Sequence, residues 1–443
     1  MQSTMKKFSH QIKEVKTSFT GTKLTAYSGI SVVGKYLKKT KLFQKFNTLF
    51  PTVVQNATQY TDAQISLLLV LSSLCKVNRY KNIETFSADP LIMTTLNTTN
   101  KISDSRLCER IQSMGEQASR NLESFALEQN KEFLVTKTAE RLTIDIDSTV
   151  SIVYGNQEGS AVGYNPQKKG AASYHPLLAF LSDYKMVMHT WFRTGNAYTS
   201  NGCEDFIRQI NAHVPTNIGK IFYRCDSGFF DNQLIQTMED AGNDYLIKVK
   251  LKGLVQLLKP LNWDKIEGQA NMWSTEFDYI FKIKDEEGKT VPVARTLRAI
   301  RIKKHLGVGN LGEEIYEWEY FCYCTNLIGL NTNEIHELYG KRGNCENWIE
   351  QVKNQLLAGK TLTNNFWAND IFWQLCVFAY NLSILMRQKI AKVLKQEYNT
   401  FRDWFVRVPG ELIRTANQLI LKIYSQYIYK EQWEDFSCNF QTE

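Results

Sequence analysis

Four residues with chemically active side chains, Tyr339, Arg342, Glu346 and Lys353, lie close together in the second half of the chain. Asn331-Thr-Asn-Glu predicts a helix start just before them, and no proline interrupts the chain from there to Lys353. At about 100° per residue, the four side chains fall within an arc of about 60° on one helix face. Such a face is either a solvated charged stripe or part of a site, and partner carboxylates elsewhere would decide between the two.

Two predicted strands supply such carboxylates. Residues 142–149 alternate strictly, which places Leu142 and Ile144 on one face and Asp145 and Asp147 on the other. A second strand begins at Lys220 and ends in Asp226 at a glycine turn. Buried acids are costly unless they are paired or bound to a cation. Open α/β sheets place ligand sites at the carboxyl ends of their strands, where these acids fall.

The elements around these strands predict an α/β protein. Hydrophobic patterns from residue 142 to 250 indicate three strands in a meander, then helix, strand, helix and strand. Residues 251–330 alternate in short strand-like runs and indicate a β-rich insertion before the Glu346 helix. The chain up to about residue 135 is predicted to be helical, and a last amphipathic helix is predicted to end at Tyr427.

Asp147, Asp226 and Glu346 therefore form a candidate metal site. Converging carboxylates suit two Mg²⁺ ions, hard cations that prefer oxygen ligands, and Mn²⁺ is expected to substitute. Such a pair of ions, about 3.5–4 Å apart, clamps the attacking and leaving oxygens of an in-line phosphoryl displacement. The six histidines are dispersed, and no glycine-rich phosphate loop of the nucleotide-hydrolase kind is present.

The bulk composition favours a polyanionic partner. The 443 residues carry a net charge of +8, and the first fifty contain ten lysines against the single acid Glu14. Either a phosphate-binding leader or a merely soluble tail explains this bias. Nine scattered cysteines, an odd number, favour reduced thiols in a cytoplasmic protein. Neither a signal peptide nor a spanning apolar helix is predicted, so no membrane partner is expected.

The motifs together resemble a known enzyme family, the DDE transposases of bacterial insertion sequences, in the group 1 branch. The signature Tyr-x2-Arg-x3-Glu-x6-Lys is matched at all four positions from Tyr339 to Lys353. Asp147-Ser-Thr resembles the block around the first catalytic aspartate, and Asp226-Ser-Gly-Phe the block around the second. Further similarity lies in Gly155-Asn-Gln-Glu-Gly, Tyr174-His-Pro-Leu-Leu, Gly195-Asn and the tail from Arg407 to Arg414.

The resemblance implies an RNase H-like catalytic core interrupted by a β-rich insertion, with a helical DNA-binding region before it and helices after it. The expected divisions are residues 1–135 for the basic helical region, 136–250 for the first part of the core, 251–330 for the insertion, 331–395 for the helical part of the core with the third acid, and 396–443 for the helical tail.

The resemblance also implies partners and residue roles. The enzyme would cut and join double-stranded DNA, the terminal inverted repeats of a mobile element and its target, as a homodimer at the nucleoid. Arg342 and Lys353 would contact end phosphates, and Tyr339 would position the end. Lys168 and Lys169 are interpreted as DNA-backbone contacts, although exposed loops carry lysines for solubility as often. Some relatives hold a flipped base on an aromatic residue, and the candidates here are Trp273 and Trp318.

Several alternatives stay open at this point. Asp145 shares its strand face with Asp147, and only the Asp-x-Thr match selects Asp147. Glu350 shares a helix face with Glu346, and only the motif spacing selects Glu346. A decayed or repurposed copy that binds DNA without catalysis is the main functional alternative, and a metal-dependent nuclease without strand transfer is a weaker one. Retention of all three acids favours the transposase.

Overall fold

The structure is a computed structural model, and it describes residues 15–52, 60–163, 165, 168–200, 202–284, 287–308, 313–388, 396–416 and 418–438. Lys6, Lys7 and Lys13 of the basic leader lie outside these residues. In the described part of the chain, no helix has both the length and the apolar character that crossing a membrane requires.

The first part of the chain is helical, as predicted, apart from one short strand. The capping box predicted at Thr61 is present, with Gln64 closing it. The long last helix of this region begins after Ser103 and kinks at Gly115, where a φ of 67° suits glycine. The elements are β1 (Lys23–Thr25), α1 (Ile30–Lys39), α2 (Leu42–Leu49), α3 (Asp62–Leu74), α4 (Tyr80–Ser87), α5 (Pro90–Leu96) and α6 (Asp104–Val135).

The next part builds the centre of a large mixed sheet. Its elements are β2 (Ala139–Ser148), β3 (Ser151–Ile152), β4 (Ala161–Val162), β5 (Ala172–Tyr174), β6 (Leu177–Leu181), β7 (Met186–Trp191), α7 (Cys203–His213), β8 (Ile218–Cys225), α8 (Asn232–Asp240) and β9 (Asp244–Lys248). The meander β2, β6 and β7 is antiparallel, whereas β8 and β9 run parallel to β2. The predicted order of elements is confirmed, and β3, β4 and β5 form a small separate sheet.

The β-rich insertion continues this sheet. It contains α9 (Leu254–Leu258), β10 (Asp264–Lys265), β11 (Met272–Lys284), β12 (Thr290–Val308) and β13 (Glu314–Thr325). β13 pairs antiparallel with β9, so nine strands form one sheet in the order β10-β11-β12-β13-β9-β8-β2-β6-β7.

The segment with the motif of four residues is helical but not uniform. Asn331 and Glu334 form the capping box that starts α10 (Thr332–Gly340). After α10 come a 3₁₀ turn (Lys341–Gly343), α11 (Asn344–Glu350), a π-helical turn (Gln351–Gln355) and then α12 (Phe366–Arg387). The predicted helical segment is therefore present, but it tightens into a 3₁₀ turn at Lys341–Gly343 and widens into a π-helical turn after Glu350.

The end of the chain corrects one prediction. The amphipathic helix predicted to end at Tyr427 is instead a hairpin of β14 (Gly410–Arg414) and β15 (Leu419–Ile423). β14 also pairs with β1, so the strand conformation is stabilised by a partner far away in sequence. Around the hairpin lie α13 (Tyr398–Phe401), a π-helical turn (Arg402–Val406) and α14 (Lys430–Cys438).

One hydrophobic core joins these parts. α12 is buried along most of its length and packs against α3, α6 and β7. A smaller cluster on the sheet consists of Phe222, Leu246, Tyr323 and Ile335, with Leu338 and Tyr339 at its edge. This second cluster packs α10 against β8, β9 and β13, and α10 leads through the 3₁₀ turn into α11, which carries Glu346.

Candidate active site

Asp147 and Asp226 lie side by side at the carboxyl ends of two parallel strands. The register pairs Ile146 of β2 with Cys225 of β8, and each acid is the next residue. The backbone N–H of Ser148 donates to Asp147 Oδ1 at 2.9 Å, and that of Gly228 donates to Asp226 Oδ1 at 2.9 Å. Strand pairing and local turns therefore hold both carboxylates at one edge of the sheet.

Arg342 is the cation that these carboxylates share. Its Nη2 lies 2.7 Å from Asp147 Oδ2 and 4.0 Å from Asp226 Oδ2, and its Nη1 lies 3.8 Å from Glu346 Oε1. In the described part of the chain, neither Nε nor Nη2 finds an acceptor with hydrogen-bond geometry, so the contact with Asp147 is an ion pair. The arginine is buried and brings the three predicted acids together.

Glu346, rather than Glu350, faces the aspartates. It lines the groove that contains Asp147 and Asp226, and its side chain is 73% exposed. Glu350 instead accepts a hydrogen bond from Gln355 at 2.8 Å, within the π-helical turn. Helix geometry alone admitted both glutamates, and the fold places only Glu346 in the groove.

The pKa values of Asp147 and Arg342 are both raised, but for different physical reasons. Burial raises the pKa of Asp147 to about 6; Arg342 opposes this shift, and the negative charge of Asp226 adds to it. Burial by itself lowers the pKa of Arg342, but the carboxylates of Asp147 and Asp226 outweigh it and raise the pKa overall. The site therefore concentrates negative charge where one guanidinium stabilises it.

Asp145 lies outside this cluster, although it shares a strand face with Asp147. Arg224 Nε and Nη2 donate to its two carboxylate oxygens at 2.6 and 2.8 Å. Both side chains are almost completely buried. This bidentate pair uses both oxygens of Asp145, so the structure places Asp145 with Arg224 on the neighbouring strand and Asp147 in the groove.

The other signature residues lie near the groove in different environments. Lys353 lines it and donates from Nζ to Val150 O at 2.6 Å, and burial lowers the pKa of the ammonium. Tyr339 is half-buried, with its ring centroid 5.0 Å from that of Tyr323, and burial raises the pKa of its hydroxyl. Both side chains are partly buried, so neither belongs to a solvated charged stripe.

The remaining predicted residues are not brought to the acids. Lys168 and Lys169 are exposed, and Lys168 Nζ lies 5.0 Å from the ring centroid of Tyr154. Trp273 and Trp318 stack edge to face at 5.0 Å in the insertion. Arg301 covers both rings, at 5.5 and 4.6 Å from their centroids. The two tryptophans form one cluster, and the structure gives no preference between them.

Sequence reasoning assigned no role to His175, which lines the same groove. Its Nδ1 lies 2.8 Å from Ala197 O, so this nitrogen must donate, and Nε2 accepts from Ser148 Oγ at 3.0 Å. Arg193 donates to the backbone oxygens of His175, Tyr198 and Thr199. The blocks Tyr174-His-Pro and Gly195-Asn contained the signal, but the contacts appear only in the fold.

The chain is thus an α/β protein with three acids gathered at the edge of a mixed sheet. Its sequence matches the family described as transposase DDE domain, group 1, over residues 8–442. The chain belongs to this family of DDE transposases.

Solved structures of other transposases are distantly similar. A piggyBac transposase in a synaptic complex with hairpin DNA shares 12% identity at a TM-score of 0.44, covering 85% of this chain and 79% of that chain. A Mos1 transposase in a paired-end complex with a left transposon end shares 10% identity at a TM-score of 0.18, covering 47% and 66%. No curated protein matches the chain. Family membership therefore rests on the sequence match.

Proposed function

We propose that this chain is an active transposase that cuts the ends of its insertion sequence and joins them to target DNA. The observation that carries the proposal is that Asp147, Asp226 and Glu346 face one shared cation, Arg342. A protein that only binds DNA gains nothing from three acids gathered at a groove, so the non-catalytic alternative leaves their arrangement unexplained.

The strand order supports an RNase H-like core. An antiparallel meander of β7, β6 and β2 is extended by the parallel strands β8 and β9, with helices between the parallel strands. We propose the divisions 1–135, 136–250, 251–330, 331–395 and 396–443 on this basis, with DNA contacts in the basic first region. The tail differs from the expected one in containing a hairpin.

Magnesium fits the donor set of the site. Within the described residues, no three acidic, histidine or cysteine side chains lie close enough together to hold a metal ion as they are placed, and the Arg342 guanidinium lies among the three acids. Carboxylate oxygens that converge on one cation are nevertheless the ligands that Mg²⁺ and Mn²⁺ prefer. Asp147, Asp226 and Glu346 would hold two ions, which when bound supply the charge that stabilises the attacking and leaving oxygens.

Arg342 and Lys353 are proposed to bind and orient the phosphates of the transposon end. Arg342 lies within 4.0 Å of all three acids, and its planar guanidinium is a group well suited to phosphate oxygens. Val150 O uses one of the three donors of Lys353, which leaves the others for DNA. Tyr339 is proposed to help position the transposon end, and Lys168 and Lys169 would contact the DNA backbone farther out. We further propose a homodimer that bridges both ends, acting in the cytoplasm.

The test is the substitution Asp226→Asn, which removes one carboxylate charge with almost no change in shape. We expect loss of Mg²⁺-dependent cleavage of a duplex that carries the terminal inverted repeat flanking the gene, with repeat binding nearly unchanged. Cleavage is measured on gels and binding by fluorescence anisotropy without Mg²⁺. Asp435→Asn, an exposed acid on α14, is the matched control. Undiminished cleavage by the Asp226 variant would show that the site assignment is wrong.

A further inference from the structure

Arg224 lies on β8, two residues before Asp226, and it contacts the strand that carries Asp147 and the helix α10, which precedes the Glu346 helix α11. Besides its bidentate pair with Asp145 on β2, its Nη1 donates to Leu338 O in the last turn of α10 at 2.7 Å. Nη2 also donates to Ser182 Oγ at 3.2 Å, just after β6. Arg224 itself belongs to β8. One guanidinium therefore connects β2, β8 and α10.

Arg224 and two of the residues that it contacts lie at fixed, short distances along the chain from the three acids. Asp145 precedes Asp147 by two residues, and Arg224 precedes Asp226 by two residues, on strands whose register pairs Asp145 with Arg224. Because side chains alternate along a strand, each partner of the ion pair points to the same side as the acid that comes after it. Leu338 lies eight residues before Glu346 on the helical segment that carries it. The guanidinium thus lies one layer below the three acids.

An arginine at position 224 is better explained by a role in holding elements at a fixed distance than by a contribution to the free energy of unfolding. A guanidinium offers five donors in a rigid plane, so Arg224 can hold a carboxylate with one edge and a carbonyl with another. Both partners of the ion pair are almost fully buried. Replacement of such buried pairs by apolar residues is often neutral or stabilising, so the pair by itself is weak evidence for a role in stability. Its geometric role is the stronger explanation.

We propose that Arg224 is a positioning residue that sets the distance between the Glu346 helix and the two aspartates, and that Glu346 reaches bound metal only when Arg224 holds Leu338. This inference rests on the proposed function, since it takes the three acids as metal ligands. The Arg224 side chain is almost completely buried, and it acts through the backbone carbonyl of Leu338 at the end of α10.

The experiment measures Mn²⁺ affinity by electron paramagnetic resonance on the full chain without DNA. Glu346→Gln and Asp226→Asn are each introduced into the native chain and into a chain with Arg224→Met and Asp145→Leu. The apolar pair fills the buried site but donates nothing to Leu338 O. We expect it to weaken Mn²⁺ binding about 10-fold, a typical effect of removing the partner that orients a ligand. Glu346→Gln should weaken Mn²⁺ binding in the native chain. In the chain with Arg224→Met and Asp145→Leu, it should cause no further loss of affinity.

The controls separate the possible failures. Arg295→Met with Glu239→Leu removes another ion pair of a buried arginine, outside the groove, and should leave the Glu346→Gln effect unchanged. If the apolar pair does not fold, as judged by circular dichroism, Arg224→Lys replaces it, since a lysine cannot hold the carboxylate and the carbonyl in one plane. An equal Glu346→Gln effect with and without Arg224 overturns the positioning role alone. If Asp226→Asn leaves Mn²⁺ affinity unchanged in the native chain, the metal site of the proposed function is wrong, and the role of Arg224 fails with it.

Discussion

Removal of the Arg342 guanidinium should destabilise the chain in metal-free buffer and make it dependent on divalent cations. The side chains of Arg342 and Asp147 are only 9% and 12% exposed, and their charged atoms lie 2.7 Å apart. Loss of one partner of a buried pair costs about 3–5 kcal/mol, because the other charge stays buried without compensation. Asp226 and Glu346 add like charge at the same place. We therefore expect Arg342→Ala to lower the free energy of unfolding by about 3–5 kcal/mol.

Urea unfolding at pH 7.5 measures this loss, first with a chelator and then with Mn²⁺. Free Mn²⁺ at 100 times its dissociation constant adds about 2.7 kcal/mol to a site that binds only in the folded state. At one fixed Mn²⁺ concentration, the stabilisation should be larger in the variant, since no guanidinium competes for the carboxylates and the dissociation constant is lower. Lys341→Ala removes an exposed cation one residue away and serves as the control. A variant as stable as the native chain in chelator would refute the shared-cation reasoning.

Two further predictions concern Lys353 and Asp370. Lys353→Met should weaken binding to the terminal repeat and reduce the slope of log affinity against log salt by about one, as measured by fluorescence anisotropy. An unchanged slope would contradict the phosphate contact and leave Lys353 with a structural role only, through its hydrogen bond to Val150 O. Burial raises the pKa of Asp370 to about 6, against hydrogen bonds from Ser119 and Gln374. The folded chain therefore binds this proton more tightly than the unfolded chain, and stability falls as pH rises from about 4 to 6. Asp370→Asn should stabilise the chain by up to about 3 kcal/mol at pH 7.5 and little at pH 4, in urea unfolding; an equal gain at both pH values would contradict this.

The acid-bearing strands were predictable because their patterns are local. Strict alternation in residues 142–149 predicted β2, and the acid at a glycine turn predicted the end of β8. The choice between Asp145 and Asp147 was not local, since it depends on Arg224 across the strand pair. One strand reads Asp-x-Asp, and its parallel neighbour reads Arg-x-Asp with the same two-residue spacing. Once the strands are known to be adjacent, this pattern predicts the ion pair between Asp145 and Arg224.

The incorrect predictions concern long-range partners. Leu419, Leu421 and Ile423 alternate along β15, yet the segment was predicted to be a helix because β1, the strand that pairs with its hairpin, lies almost 400 residues earlier. The face with Arg342 and Glu346 was predicted correctly as a shared face, but its burial was not predictable. A helix pattern alone cannot show that two strand-end aspartates will cover an arginine.

The nine-stranded sheet has a consequence for how this chain could have evolved. The insertion supplies β13, which closes one side of β9 and contributes Tyr323 to the floor under α10. A descendant that lost residues 251–330 would expose the backbone edge of β9 and remove part of the support of the Glu346 helix. Because β11 and β12 also contact α10, we expect the whole insertion to be inherited together with the sheet that carries the two aspartates.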